Sequence, residues 1–96
     1  MTEADQDPLI SQLREQLAEN DLAIVEALNT RLKLVAELKR VKAERGIGFL
    51  DPAREEWMLQ YLTNANSGPL STEGLREIYT ELLDLTKREV GRSDET

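Results

Sequence analysis

The fold is decided by residues 9–45, LISQLREQLAENDLAIVEALNTRLKLVAELKRVKAER, a stretch without glycine or proline. Its apolar residues recur three, four or seven positions apart, which is the period of one helix face. The members of this apolar stripe are Ile10, Leu13, Leu17, Ile24, Leu28, Val35 and Leu38. Most of the remaining positions carry Ala, Glu, Gln, Lys or Arg, which are strong helix formers. The pattern predicts a single helix of about 50 Å.

A helix of this length needs a second copy of the chain to cover it. A compact domain of 96 residues has a radius of gyration of only about 12–13 Å. If two such helices pair antiparallel and cross near Val25, Arg14 of one copy lies beside the segment between Arg31 and Lys42 of the other. We therefore expect an intertwined antiparallel homodimer in which the two copies share each site.

The remainder of the sequence predicts two short helices and no strand. Asp51 is a favoured N-cap and Pro52 a favoured first helical residue, while turn residues at 64–69 end that helix. Ser71 is expected to cap the third helix. The predicted inward faces are Ala53, Trp57, Met58, Tyr61 and Leu62 on the second helix, and Leu75, Ile78, Tyr79, Leu82, Leu83, Thr86 and Val90 on the third.

The fold class that follows is all-α, with one very long helix and two short ones. We expect residues 1–8 to form a disordered acidic leader and residues 9–90 to form one helical domain. Residues 91–96 are expected to be a frayed tail.

Composition excludes several kinds of chemistry. The chain has no cysteine and no histidine, which removes the usual zinc ligands and the Cys and His nucleophiles. Its formal net charge of −7 disfavours nucleic acid and anionic membranes as partners. The N-terminus shows no signal peptide and no run has membrane-spanning length. These features predict a soluble, cytoplasmic protein without a metal or cofactor.

Two cations lie on the apolar stripe. Arg31 follows Leu28 by three positions, and Lys42 follows Leu38 by four. The eleven residues between Arg31 and Lys42 amount to three whole turns plus about 20°, so both side chains leave the same face. Such cations either extend to solvent at the edge of the stripe or bind an anionic partner.

Further candidate site residues are polar, and most of them could also have an ordinary structural role. Arg14 adjoins Leu13 near the start of the long helix. Asp51 serves as an N-cap, Arg54 and Glu55 suit a solvated first turn, and a hydroxyl such as that of Thr86 can bond a carbonyl one turn back. Taken together, these Arg and Lys residues suit a small polyanionic ligand held by forked bonds. Without a nucleophile, a reaction that needs only positioning and charge stabilisation fits best.

The ordered set Arg14, Arg31, Lys42, Asp51, Arg54 and Glu55, with spacings of 17, 11, 9, 3 and 1, resembles the all-helical class of chorismate mutases. Leu13, Glu15 and Asp21 add to the resemblance, which covers roughly residues 9–90. It implies an intertwined dimer with two equivalent sites. It also implies conversion of chorismate to prephenate by a [3,3] rearrangement in phenylalanine and tyrosine biosynthesis.

The resemblance also implies a role for each position. Arg31, together with Arg14 from the partner chain, would hold the two carboxylates of chorismate, and Lys42 would donate to the ether oxygen. The ring hydroxyl would be bound by Glu55 and the Asp51 region. Support for the substrate and its neighbours would come from Arg54, and Thr86 occupies the place of a family hydroxyl near a carboxylate.

Val90 departs from the family pattern. The family usually has Gln or Glu there, four residues after the Thr86 position, as a second donor to the ether oxygen. Glu89 lies one residue early, about 100° around the helix, and a register shift of the third helix would bring it inward. Without either donor, we expect modest stand-alone activity or help from a partner, such as the first enzyme of the shikimate pathway.

Two other functions compete with the mutase hypothesis. An isochorismate-pyruvate lyase resembles the mutases in its Arg and Lys positions but releases salicylate and pyruvate. A non-catalytic helical dimerisation module would carry Arg31 and Lys42 as surface residues, and their replacement by alanine would change neither stability nor ligand binding much.

Overall fold

The structure is a computed structural model that describes residues 7–94, with side chains described for residues 7–91. It contains three helices, α1 (Pro8–Glu44), α2 (Pro52–Ala65) and α3 (Thr72–Asp94), and no strand among the described residues. The predicted all-α class, with one very long helix, is confirmed. Residues 1–6 of the predicted leader and 95–96 of the predicted tail lie outside the described residues, and α3 includes residues 91–94.

The described chain divides into two compact units, with the boundary between Lys33 and Leu34. We call them the N-terminal unit, residues 7–33, and the C-terminal unit, residues 34–94. The N-terminal unit is the first part of α1. The C-terminal unit comprises the end of α1 together with α2 and α3, and it contains the packing of α2 on α3.

The start of α1 repeats the Asp-Pro signal predicted for α2. Pro8 is the first helical residue, and the Asp7 carboxylate accepts hydrogen bonds from the backbone N–H groups of Leu9 at 2.9 Å and Ile10 at 3.4 Å. These bonds satisfy donors that have no partner inside the helix. No residue of α1 is buried in the single chain.

Helices α2 and α3 pack on each other and form the core of the C-terminal unit. Its buried apolar residues are Leu59 on α2 and Leu75 and Val90 on α3, and the one buried polar residue on the described side chains is Thr86. Among the described helices, none combines the length and the hydropathy of a membrane-spanning segment.

Both predicted caps are confirmed. The Asp51 Oδ1 atom accepts a hydrogen bond from the Arg54 backbone N–H at 3.1 Å, and Pro52 opens α2. At α3, the Ser71 hydroxyl accepts from the Gly74 N–H at 3.0 Å. These polar anchors fix where each helix begins and therefore which residues face the neighbouring helix.

The predicted inward faces are wrong at four positions, of which the first, Ala53, is exposed. Trp57, Tyr61 and Ile78 are 48%, 55% and 54% exposed. On α2 the side chain that is buried is Leu59, which the periodicity had not assigned to the inward face. The two aromatic rings instead stack on each other, 5.2 Å between centroids and 7° between planes, so each buries part of one face without entering the core.

A Schellman motif ends α1. The N–H of Ile47 donates to the carbonyl of Lys42 at 2.8 Å, and the N–H of Gly46 donates to Ala43 at 3.2 Å. Gly46 has a φ of 69°, the left-handed conformation that this motif requires and that favours glycine. The motif therefore fixes the backbone at Lys42, one of the candidate residues.

Gly46→Ala is expected to lower the free energy of unfolding by about 1 kcal/mol, because only the left-handed backbone opposes the new methyl group. A Cβ at Gly46 meets no atom within 4 Å. Gly48→Ala is the matched control, since Gly48 also has open space and lacks a positive φ. Urea denaturation of both variants measures the difference, and equal stability would contradict the proposed backbone cost.

Candidate active site

The candidate residues fall into both units. Arg14 and Arg31 belong to the N-terminal unit, and the C-terminal unit contains Lys42, Asp51, Arg54, Glu55, Thr86 and Val90. The second group is brought together in part by the packing of α2 on α3.

Lys42 is half-buried and its ammonium is held by the loop that follows α1. Its Nζ atom donates a hydrogen bond to the carbonyl oxygen of Phe49 at 3.3 Å. A second cation, Lys39, lies over the Phe49 ring with its Nζ 5.4 Å from the centroid. An ammonium has three donors, so the bond to Phe49 restrains Lys42 and leaves it able to donate to a ligand.

Asp51 acts as the N-cap of α2, which is the structural role that the sequence predicted for it beside a role in substrate binding. Its Oδ1 atom accepts from the Arg54 N–H, and its carbonyl accepts from the Glu55 N–H at 3.1 Å. Asp51 is exposed. The cap thereby sets the positions of Arg54 and Glu55, and a direct contact of Asp51 with substrate stays a prediction.

The Arg54 guanidinium lies over an exposed aromatic stack. Its Cζ atom is 4.0 Å from the centroid of the Trp57 ring, which in turn stacks on Tyr61. A cation over an indole face is stabilised by the ring quadrupole. This contact orients Arg54 along the surface of α2 in the single chain.

Glu55 forms an ion pair that the sequence reasoning missed. Its Oε1 atom lies 2.8 Å from the Nζ atom of Lys87 on α3. The pair links the two short helices, and Lys87 directly follows buried Thr86 in α3. The sequence shows opposite charges on the two amphipathic helices, but it does not identify which acid pairs with which base.

Thr86 and Val90 lie one turn apart on α3 and are both buried, with 4% and 3% exposure. The Thr86 hydroxyl donates to the Leu82 carbonyl, one turn earlier, at 2.7 Å, which is the structural role expected from the sequence. Thr86 has further interactions. Glu89 is half-buried. Val90, and not Glu89, therefore occupies the buried position of this helical turn.

The two arginines of the N-terminal unit are not brought together. Arg14 is exposed, Arg31 is half-buried, and each has an interaction partner. Their 17-residue separation corresponds to about 25 Å along a helix. A shallow surface depression beside Arg14 is lined by Ser11, Glu15 and Ala18, all from the same helix. Four neighbouring residues of one helix do not enclose a ligand.

The pKa values that shift clearly among the described groups lie on the exposed side of α1, outside the candidate set. The Arg40 guanidinium hydrogen-bonds Glu37, which lowers the pKa of that carboxyl and raises the pKa of Arg40. Arg40 also pairs with Glu44 at 2.5 Å. Because all three side chains are more than half exposed, solvent screens this cluster.

The described residues contain no group of three or more His, Cys, Asp or Glu side chains placed to hold a metal ion. What the C-terminal unit offers instead is an ammonium fixed by a loop carbonyl and a carboxylate fixed by an ion pair. Both groups can orient a polar ligand, and the ammonium can also stabilise developing negative charge.

Comparison with known proteins identifies the family. Residues 13–90 match the family described as chorismate mutase type II. This chain belongs to that family. The match contains every candidate residue, from Arg14 to Val90, and confirms the resemblance seen in the ordered charged set.

Two curated relatives carry the mutase name as part of a longer protein. The bifunctional chorismate mutase/prephenate dehydratase of Stutzerimonas stutzeri is 32% identical over 89 residues, or 86% of this chain. The protein of the same name from Pseudomonas aeruginosa is 32% identical over 85 residues, or 83% of this chain. The chain spans 23% of the length of each relative.

Solved structures show the same fold. Form II of the chorismate mutase from Thermus thermophilus has a TM-score of 0.81 and 35% identity, covering 86% of this chain and 94% of that one. Form I has a TM-score of 0.78 and 36% identity, covering 80% and 96%. The three-helix architecture is therefore that of the chorismate mutases.

Proposed function

We propose that this chain is an enzyme that converts chorismate to prephenate in the biosynthesis of phenylalanine and tyrosine. The observation that carries the proposal is the family match over residues 13–90, which includes all the candidate cations. In this unimolecular reaction the ether C–O bond breaks while a C–C bond forms. The reaction therefore needs neither a nucleophile nor a cofactor, and depends on positioning and electrostatics.

Arg31 and the partner's Arg14 are proposed to hold the two carboxylates of chorismate. Guanidinium groups bind carboxylates through two parallel hydrogen bonds, which fixes orientation as well as charge. Holding both carboxylates brings the enolpyruvyl arm over the ring in a reactive conformation. This pre-arrangement removes much of the entropic barrier of the rearrangement.

Lys42 is proposed to donate a hydrogen bond to the ether oxygen. Negative charge grows on that oxygen as the C–O bond breaks, so the contact strengthens in the transition state and raises kcat. The Phe49 carbonyl, 3.3 Å from the ammonium, supports this role because it restrains a side chain that is otherwise flexible.

The remaining candidates are proposed to hold the ring and its surroundings. Glu55, with the Asp51 region, accepts a hydrogen bond from the ring hydroxyl. Arg54 supports the substrate and neighbouring residues, and Thr86 lies near a substrate carboxylate. Val90 occupies the position from which the family usually supplies a second donor to the ether oxygen, so we expect this site to work with Lys42 as the donor there.

A homodimer is part of the proposal, because α1 is left uncovered in the single chain. Large apolar residues of the N-terminal unit are exposed; they are Leu9, Leu13, Leu17, Leu22, Ile24 and Val25. An exposed apolar surface of this extent is typical of a protein interface. A second antiparallel copy would cover it and bring its Arg14 to the site, which supports the shared arrangement.

The test is an assay of the purified protein with chorismate, in which the product is identified by chromatography and mass spectrometry. Prephenate formation above the uncatalysed rate is the expected result. A parallel assay with isochorismate separates the lyase, which would release salicylate and pyruvate. If neither substrate turns over and chorismate does not raise the melting temperature, the dimerisation module becomes the better hypothesis.

Two further expectations remain predictions. A cytoplasmic location follows from the sequence reasoning. The first enzyme of the shikimate pathway is proposed as a partner because Val90 leaves the ether oxygen without a second side-chain donor. Addition of that enzyme is expected to raise kcat/KM, and unchanged kinetics would count against the partnership.

A further inference from the structure

The ion pair between Glu55 and Lys87 links a candidate residue of α2 to α3. Its two atoms, Glu55 Oε1 and Lys87 Nζ, are 2.8 Å apart. The side chains are 31% and 37% exposed. A pair that is partly withdrawn from solvent is screened less than a fully exposed pair, so it restrains both side chains more strongly.

A neighbouring pair provides the comparison. Glu56 and Arg76 also join α2 to α3, with 3.1 Å between Oε1 and Nη2, but Glu56 is 64% exposed. The two acids are adjacent in sequence, yet only Glu55 is half-buried. The structure thus contains two bridges between the same helices, one at a candidate site residue and the other at a more exposed acid.

The backbone of Glu55 is fixed independently of its side chain. Its N–H donates to the Asp51 carbonyl in the first turn of α2, so the helix start determines where its Cα lies. Lys87 then determines the direction of the carboxylate, because an ammonium at 2.8 Å engages Oε1. The second oxygen, Oε2, is left to accept a hydrogen bond from a ligand hydroxyl.

Lys87 is itself anchored by the core. It lies between Thr86 and Arg88 on α3, immediately after a side chain with 4% exposure and three residues before buried Val90. The Cα of Lys87 therefore moves with the packed core rather than with a loop. A site residue supported by a rigid element keeps its geometry better than one on its own flexible stem.

We propose that Lys87 is a positioning residue of the active site, which holds the Glu55 carboxylate so that Oε2 accepts the hydrogen bond of the substrate ring hydroxyl. This inference rests on the proposed chorismate-to-prephenate reaction. Lys87 does not touch the substrate, and its effect passes through Glu55.

The test compares Lys87→Met, Lys87→Arg and Arg76→Met with the wild-type protein. Because a ring-hydroxyl contact is made in both the ground and transition states, Lys87→Met is expected to raise KM about tenfold with little change in kcat. Lys87→Arg keeps the charge and is expected to restore KM to within about twofold. Arg76→Met removes the other interhelical bridge and is expected to leave KM unchanged.

A double variant tests whether the effect passes through Glu55. In a Glu55→Gln background, Lys87→Met is expected to have no further effect on KM, since the group that it positions is already altered. Melting temperatures of all variants are measured in parallel. A purely structural role of Lys87 predicts equal losses of stability for Lys87→Met and Arg76→Met, with KM unchanged in both.

The possible failures can be told apart. If the wild-type protein forms no prephenate, the proposed function is wrong and the assignment of Lys87 is wrong with it. If the wild-type protein is active but Lys87→Met keeps its KM, or if its effect adds fully to that of Glu55→Gln, the assignment of Lys87 alone is overturned.

Discussion

Lys42→Met is expected to lower kcat for prephenate formation by about 10²–10³-fold, the range found when one donor to a developing oxyanion is removed. The methionine keeps the length of the side chain and loses the ammonium. Since Lys42 is proposed to act mainly on charge that develops in the transition state, kcat and kcat/KM should fall together. Steady-state kinetics at saturating and limiting chorismate measure both parameters.

Lys39→Met is the matched control for this substitution. Lys39 lies on the same helix three residues earlier and also contacts Phe49, through the ring rather than the carbonyl. If Lys42 acted only by holding the loop after α1, both variants would lose activity to a similar extent. Equal effects, or a Lys42→Met variant with unchanged kcat, would contradict the role at the ether oxygen.

Val90→Gln is expected to raise kcat by about tenfold, because it places a donor at the position where the family usually has one. A fully effective donor raises kcat by up to about 10²–10³-fold. We expect a smaller gain here because burying an amide costs about 1–3 kcal/mol. The wild-type Val90 is 3% exposed. Thermal stability should therefore fall while the rate rises.

Two controls make this gain specific. Val90→Leu changes the packing without adding a donor and is expected to leave kcat unchanged or lower. Glu89→Gln places the same amide one residue earlier, where the side chain is half-buried, and is expected not to raise kcat. An equal gain from Glu89→Gln would indicate that position 89, and not position 90, faces the ether oxygen.

The helices and their ends could be predicted because short-range chemistry determines them. Asp51-Pro52 and Ser71 act as caps through bonds to backbone N–H groups three residues later. Gly46 ends α1 with the positive φ that glycine tolerates. Such features depend on residues within one turn of each other, so the sequence contains the information directly.

The orientation of α2 could not be predicted in the same way. Trp57 and Tyr61 share a helical face and are large, which favours burial, yet they lie outside with Arg54 over the indole. The inward position belongs to Leu59. Which face turns inward depends on how α2 crosses α3, and periodicity within a single helix does not specify that crossing.

The candidate site residues, like the helices, could be predicted from the sequence only in part. The order and spacing of the cations indicated the family, and the family match includes all of them. Lys87 was missed because its partner, Glu55, lies 32 positions away and the contact exists only once α2 packs on α3. The alternative between Glu89 and Val90 also needed the structure, since one residue of register decides which of them is buried.

The most direct test of the shared-site dimer is a mixed dimer of an Arg14→Ala chain and a Lys42→Met chain. The two chains are co-expressed with different affinity tags and purified in tandem, and prephenate formation is compared with that of each variant alone. One of the two sites then has both native residues, so the account predicts about half of the wild-type activity per dimer. A mixed dimer no more active than the separate variants, or a fully active monomer, would contradict it.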